Sequence, residues 1–361
     1  HLSIRRQRQM CIRDRFCSRY KLMTSKFRFQ AVSHSWVALH PQPQGVIYFI
    51  GGAFFGTFGP MLFYRHLLRY FFDQGYTLIL LPFNFTFNHY REAFFLIGEQ
   101  YQLLPELVRM AQGKDYEYEV YLNAKKSYWL GHSIGCKYIA LLEGFSALPE
   151  NDKERCQFIQ KLLTCTESYD SKTIQAIVAE IKAFREDLLS QSRITRKTIA
   201  VYTGKTYGKE ADSIFEDLYI KDQPSILLAP VNSGTDSAIK PKIFADLIDS
   251  LGLGVKPSPA ITRKLIQQNN LFNLLILTRF QSDKIAAETC NWFIDTLGKP
   301  PVADRYCSGG GHLRPLGMAI ASQVFTFCLD RPWLASITIR NKELEDSVNQ
   351  HLKILLQRIE S

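Results

Sequence analysis

Three side chains, in chain order, have the types that nucleophilic acyl chemistry needs: Ser133, Asp283 and His312. Ser133 lies in Gly131-His132-Ser133-Ile134-Gly135, a G-x-S-x-G pattern. Such a serine sits on a sharp, strained turn from a strand into a helix, so that its Oγ projects into the open. A side chain two residues before or after it would collide with the neighbouring strand and helix, and Gly131 and Gly135 remove that collision. Chance makes pentapeptides of this kind often enough that context has to carry the assignment. Here a β-type run, Tyr128-Trp129-Leu130, leads in and a helical pattern from Ile134 to Gly144 follows.

A serine hydroxyl is a poor nucleophile without a base, and the base needs an acid to orient it. For a serine on such an elbow the chain order is serine, acid, histidine. His312 is the only histidine between Ser133 and His351, and it ends the glycine-rich turn Ser308-Gly309-Gly310-Gly311-His312. His351 belongs to an amphipathic terminal helix and is the weaker candidate. His132 should point away from Oγ and pack structurally. Asp283 lies just beyond a buried run, Leu274–Thr278, and is the first choice of acid; Asp236, six residues past Pro230, is the alternative. The oxyanion of a tetrahedral intermediate needs two N–H donors. The backbone of Ile134 should supply one, at the start of a helix whose dipole favours negative charge. The second should come from the loop Gly51-Gly52-Ala53-Phe54, with Ala53 favoured and Phe54 next.

Positioning these groups requires a sheet. Short apolar runs alternate with helical patterns, the sign of a parallel sheet covered by helices. Phe27–Val32, Trp36–Leu39, Val46–Ile50, Tyr76–Pro82, Ser127–Gly131, Ile226–Pro230 and Leu274–Thr278 read as strands. Met61–Phe72, Tyr90–Ala111 and about Ile285 to Leu297 read as helices, the second with Pro105 as a possible kink. Between 146 and 222 the alternation stops. Ile174, Ile177, Val178, Ile181, Phe184 and Leu188 fall on one helical face. The region is expected to be a mostly helical cap over the site, with Thr198–Thr203 as a possible strand. A second polar, helical stretch runs from Asn232 to about Asn270, and further helices should close the chain. The core is thus expected in two parts, 23–145 and 223–361, around the 146–222 insertion. Phe54, Phe55, Phe58, Phe63, Phe94 and Phe95 either line an apolar acyl pocket or are aromatic core.

Composition narrows the function classes. With 361 residues and 46% hydrophobic residues, the chain can build one large core. The net charge of +10 is concentrated at one end. Arg5, Arg6, Arg8, Arg13, Arg15, Arg19 and Lys21, against Asp14, put +6 in residues 1–22, so nucleic-acid binding is not expected. His1–Arg15 reads as a foreign stretch similar to translated adapter, with Met23 as a native start. Residues 1–22 are therefore set aside as a non-native or disordered extension, the alternative being a basic transit peptide. Eight cysteines without a CxxC pair suggest neither a metal site nor a disulfide framework, and fit a reducing compartment. Gly45–Tyr64 is uncharged and long enough to span a bilayer, but its glycines and Pro60 favour strand, loop and helix over a membrane span. No cofactor is expected, and the composition is silent on oligomeric state.

Together, the elbow, the Gly51-Gly52 loop, the Ser133, Asp283, His312 order and the late Gly311-His312 resemble the α/β-hydrolase superfamily. More narrowly, the loop at 51–56, Gly131 to Lys137 and Leu227-Leu228-Ala229-Pro230 resemble an α/β-hydrolase-like family of cyanobacteria and plastids. The likeness spans about residues 27 to 340. It implies a mostly parallel central sheet with helices on both faces and a Ser-His-Asp site. The resemblance itself supplies no substrate; the scattered thiols lead to the expectation of a cytoplasmic protein, or a stromal one in a eukaryotic phototroph, and the phenylalanine cluster to that of a small, hydrophobic acyl substrate. Two departures stand out: Ile50 replaces the usual histidine before the oxyanion loop, and the insertion follows the elbow helix directly.

Overall fold

The computed structural model describes residues 26–166, 169–207, 213–215, 217–232, 255–268, 274–297, 306–307, 310–320, 323–327, 337–339 and 341–360. Residues 1–22 and Asp236 lie outside them. The β-branched and aromatic runs form strands β1 (Gln30–Val32), β2 (Ser35–Ala38), β3 (Gly45–Ile50), β4 (Tyr76–Leu80), β5 (Ser127–His132), β6 (Ser225–Leu228), β7 (Leu275–Phe280) and β8 (Tyr306–Cys307). They make one eight-stranded sheet in the order β1-β2-β4-β3-β5-β6-β7-β8. β2 runs antiparallel to β4, and from β4 to β8 every pairing is parallel. All six residues of β3 and of β5 are buried, as expected of a parallel sheet covered on both faces. Tyr48 and Trp129 stack at 5.0 Å between these two strands.

Handedness distributes the helices. The crossover from β3 to β4 moves one way along the sheet, and all later ones move the other way. Right-handed crossovers then put α3 (Arg65–Asp73) on one face and α4 (His89–Gln112), α5 (Ile134–Ser146), α8 (Pro259–Gln267) and α9 (Ala287–Leu297) on the other. The terminal helix α10 (Glu343–Glu360) returns to the first face, where Tyr70 Oη donates to Asp346 Oδ1 at 2.7 Å. This strand order, with helices on both faces and a serine turn after β5, is an α/β-hydrolase-like fold. Chain direction along the sheet reverses at β3, so the carboxyl ends of β3 and β5 flank the switch point where open α/β sheets bind ligands.

Three local expectations are corrected. The 61–72 helix is two, α2 (Pro60–Phe63) and α3, preceded by the five-residue α1 (Ala53–Thr57), because Tyr64 at the joint leaves helical geometry at φ −100°, ψ 9°. Thr198–Thr203 is not a strand. It ends the 33-residue helix α7 (Ser171–Thr203), whose buried face continues from Leu188 through Thr195 to Ile199 while Val201 faces solvent. The spacing of Thr195 and Ile199 outweighs the β-branched composition. Finally, a small antiparallel sheet of β9 (Met318–Ile320), β10 (Gln323–Phe327) and β11 (Ile337–Ile339) precedes α10, where only helices were expected.

The inserted helices are α6 (Asp152–Thr166) and α7. α7 runs parallel beside α4. Glu180 accepts from Asn88, Gln191 meets Gly98, Thr195 donates to Tyr101 O, and Gln112 donates to Tyr202 O. Its first nine residues therefore reach roughly 13 Å past the start of α4. The insertion flanks the sheet, and its tip rises at the carboxyl edge. Among the described residues no helix is long and apolar enough to cross a membrane; the uncharged 45–64 stretch is β3, α1 and α2.

The sheet and elbow helix meet with no room for a side chain at Gly135, where a Cβ would stand 2.3 Å from Ile50 O and 2.7 Å from Gly51 O. Gly204, at the end of α7, has φ +66° but open space around it. Gly135→Ala is therefore expected to lower the denaturation midpoint more than Gly204→Ala. The latter should lose only about 1–2 kcal/mol to its left-handed backbone. Urea titrations of both variants check the order.

Candidate active site

The serine turn is built by backbone geometry. Ser133 has φ 57° and ψ −122°, a conformation that disfavours any side chain. Its N–H donates to Leu228 O at 3.1 Å and its carbonyl accepts from Val231 N at 3.2 Å, so the end of β6 clamps the turn. A Cβ at Gly131 would meet the backbone of Cys136 at 3.0 Å. Both elbow glycines thus work by close approach.

The structure brings Ser133, His312 and Asp283 together. Ser133 Oγ lies 2.9 Å from His312 Nε2, and His312 Nδ1 lies 2.9 Å from Asp283 Oδ2. With Nδ1–H donating to the carboxylate, the Nε2 lone pair faces the serine hydroxyl. Asp283 Oδ1 accepts from Ile285 N at 2.9 Å and Ala286 N at 3.0 Å, so both carboxylate oxygens are occupied. Ser282 N donates to Gly310 O at 3.3 Å, joining the acid loop to the histidine loop. His351 is elsewhere, buried in α10 with Nδ1 3.3 Å from Thr278 Oγ1.

Next to Ser133, a Cβ on Gly52 would lie 3.3 Å from Ser133 Cβ, so the loop after β3 packs against that serine. Ala53 and Phe54 open α1, and Ile134 opens α5; helix geometry leaves such first-turn N–H groups without intrahelical acceptors. Gly52 N–H is already taken by Tyr64 Oη at 2.8 Å, which leaves Ala53 as the first open donor of the loop.

A second chain of hydrogen bonds runs beneath the first. Tyr64 Oη is 2.7 Å from His132 Nδ1, and His132 Nε2 is 2.9 Å from His312 O. The carbonyl can only accept, so Nε2 carries the proton and Nδ1 accepts from the tyrosine. Burial, helped by nearby His312, pushes His132 down to about 3, so the ring is neutral. Sequence reasoning assigned His132 to packing and missed Tyr64, for which no local signal exists: its partners are 12 and 68 residues away. Leaving one of these buried groups unpaired would cost about 1–3 kcal/mol.

The phenylalanines divide. Phe94 stacks between Phe145 and Phe184 at 4.8 and 5.0 Å, and Phe55 and Phe63 pack on the core. Phe54 and Phe58, on α1 and at its C-cap, are each 60% exposed, their rings 5.2 Å apart.

A family model described as "Protein of unknown function (DUF1350)" matches residues 28–154. No curated protein matches the chain. Among solved structures, esterase B from Lactobacillus rhamnosis is 11% identical, with 98% of this chain and 94% of that one covered, at a TM-score of 0.45. An esterase from Thermogutta terrifontis is 12% identical, covering 93% and 96%, at 0.44. A sugar hydrolase from Lactococcus lactis is 11% identical, covering 92% and 99%, at 0.40. The fold assignment itself stands on strand order and the serine turn.

Burial, the largest influence on Asp283, raises its pKa. The hydrogen bond and charge of His312 and the two backbone N–H groups together outweigh it, and the net shift is downward. A depressed carboxylate contributes stability that is present above its unfolded pKa, near 3.9, and is lost as pH falls through its folded value. Asp283→Asn is expected to remove that contribution and flatten the acid limb of stability below about pH 4. Urea midpoints between pH 3 and 7 for both proteins provide the check.

Proposed function

We propose that the protein is a serine hydrolase that cleaves an ester, thioester or similar acyl bond of a small, hydrophobic substrate. The observation that carries this reading is the unbroken line from Ser133 Oγ through His312 to Asp283, at 2.9 Å per step, on a strained turn at the switch point of the sheet. His312 takes the proton of Ser133 as Oγ attacks the carbonyl carbon. The tetrahedral oxyanion is held by the N–H groups of Ile134 and Ala53, with Phe54 the next donor in line. The C–O or C–S bond then breaks, and His312 returns the proton to the leaving group. Water, deprotonated by His312, attacks the acyl-enzyme, releases the acid and restores Ser133. Asp283 keeps the imidazole in the Nδ1–H tautomer and stabilises the imidazolium.

Exposed Phe54 and Phe58 beside the oxyanion loop support an apolar acyl group. The tip of the α6–α7 insertion, at the same edge, is the element proposed to select it. No cofactor enters the scheme, and the side chains provide every proton transfer.

Nitrophenyl esters of increasing acyl length test the reading. Hydrolysis is expected to rise with chain length, and Ser133→Ala or His312→Ala to reduce turnover by on the order of a millionfold. Phe54→Ala should act mainly on KM for the longer esters. Turnover that survives in Ser133→Ala would place the chemistry elsewhere. A folded protein that binds the esters without cleaving them would instead be a binding protein retaining the fold.

A further inference from the structure

We infer that Tyr64 and His132 are positioning residues that couple the oxyanion loop to the general base, so that both halves of the site are set by one buried hydrogen-bond chain. This rests on the hydrolase reading above. The chain has three hydrogen bonds with defined donors. Gly52 N–H donates to Tyr64 Oη, Tyr64 O–H donates to His132 Nδ1, and His132 Nε2–H donates to the carbonyl of His312, whose own side chain faces Ser133. Each atom has one role. Reversing any bond would leave either two donors or two acceptors facing each other.

The geometry shows what each link holds. The Gly52 amide is the peptide immediately before the Ala53 N–H, so fixing it restrains the N–H assigned to the oxyanion. The His312 carbonyl belongs to the residue whose ring takes the serine proton, so anchoring it fixes the root of the base. A parallel tie reaches the same loop from the residue beside Tyr64: Gly317 N donates to Phe63 O at 2.9 Å. Residues 63 and 64 thus hold the histidine loop directly at Gly317 and, through His132, at His312. Tyr64 and His132 are almost wholly buried, 0% and 1% exposed, so water does not substitute for a missing partner. The hydroxyl of Tyr64, at the joint between α2 and α3, serves both Gly52 and His132. It also gives the second residue of the elbow a purpose that packing alone would not require.

Two measurements test the coupling. The first is phosphonylation by a fluorophosphonate. Tyr64→Phe is expected to lower the maximal inactivation rate about ten- to a hundredfold with its half-saturating concentration unchanged, short of the hundred- to thousandfold typical of deleting a donor outright. His132→Leu should lose more. His132→Gln, whose side-chain amide can still reach the His312 carbonyl, should recover at least tenfold of that loss, a rescue that a packing role would not predict. The second is NMR of protein labelled with ¹⁵N-histidine, which does not depend on reactivity. It should show His132 as the neutral Nε2–H tautomer at pH 7. Tyr64→Phe should move the ring resonances of His312 as well as those of His132, although Tyr64 does not touch the His312 ring. Folded Tyr64→Phe that reacts at the wild-type rate, an Nδ1–H tautomer at His132, or unmoved His312 resonances would overturn the coupling. Wild-type protein that never reacts but gives the expected spectra would defeat the hydrolase reading and leave the coupling standing.

Discussion

Ser133 holds a backbone conformation that a side chain ordinarily avoids, and the rest of the site is arranged around keeping it there. The strain is sustained because β5 and α5 approach β3 and each other at glycines, with Gly135 against the carbonyls of Ile50 and Gly51. The end of β6 then binds the turn on both sides of the serine. An alanine at Gly135 would have to push a strand of the central sheet aside. Ser133 is therefore placed by the central sheet and the helix packed on it, while Asp283 and His312 arrive on loops after β7 and β8.

Loops of that kind need their own restraints, and two are present. Asp283 is fixed by backbone N–H groups from its own turn and by the link between Ser282 and Gly310. His312 is held at its ring by Asp283 and at its carbonyl by His132. Since His132 neighbours Ser133 and is in turn held by Tyr64, Ser133, His312 and the loop after β3 share one framework. Low polarity around these groups strengthens each bond and raises the penalty for an unmet one, which favours a single arrangement.

Much of this was legible in the sequence because it depends on local pattern. The buried strands announce themselves as short β-branched and aromatic runs. The elbow carries its glycines because of steric contact within a few residues. Once Ser133 is taken as the nucleophile, chain order points to His312, and Asp283 is preferred to Asp236 for its place just beyond the Leu274–Thr278 run. What was not legible depends on distant contacts. The hydroxyl of Tyr64 meets a histidine 68 residues away, and a tyrosine in an apolar helical run looks like any other core residue. Thr198–Thr203 has strand-like composition, yet it continues the buried face of α7 against α4, and tertiary packing overrode propensity. Phe54 and Phe58 sit among phenylalanines that do enter the core, and only the short α1 after the Gly51-Gly52 loop turns them outward.

The central claim is that Ser133 is a nucleophile activated by His312. Mass mapping of the protein after treatment with a fluorophosphonate tests it most directly. The account predicts one phosphonyl group per chain, on the peptide carrying Ser133, absent from Ser133→Ala and nearly absent from His312→Ala. An adduct on another residue, or no adduct on a folded protein, would contradict it.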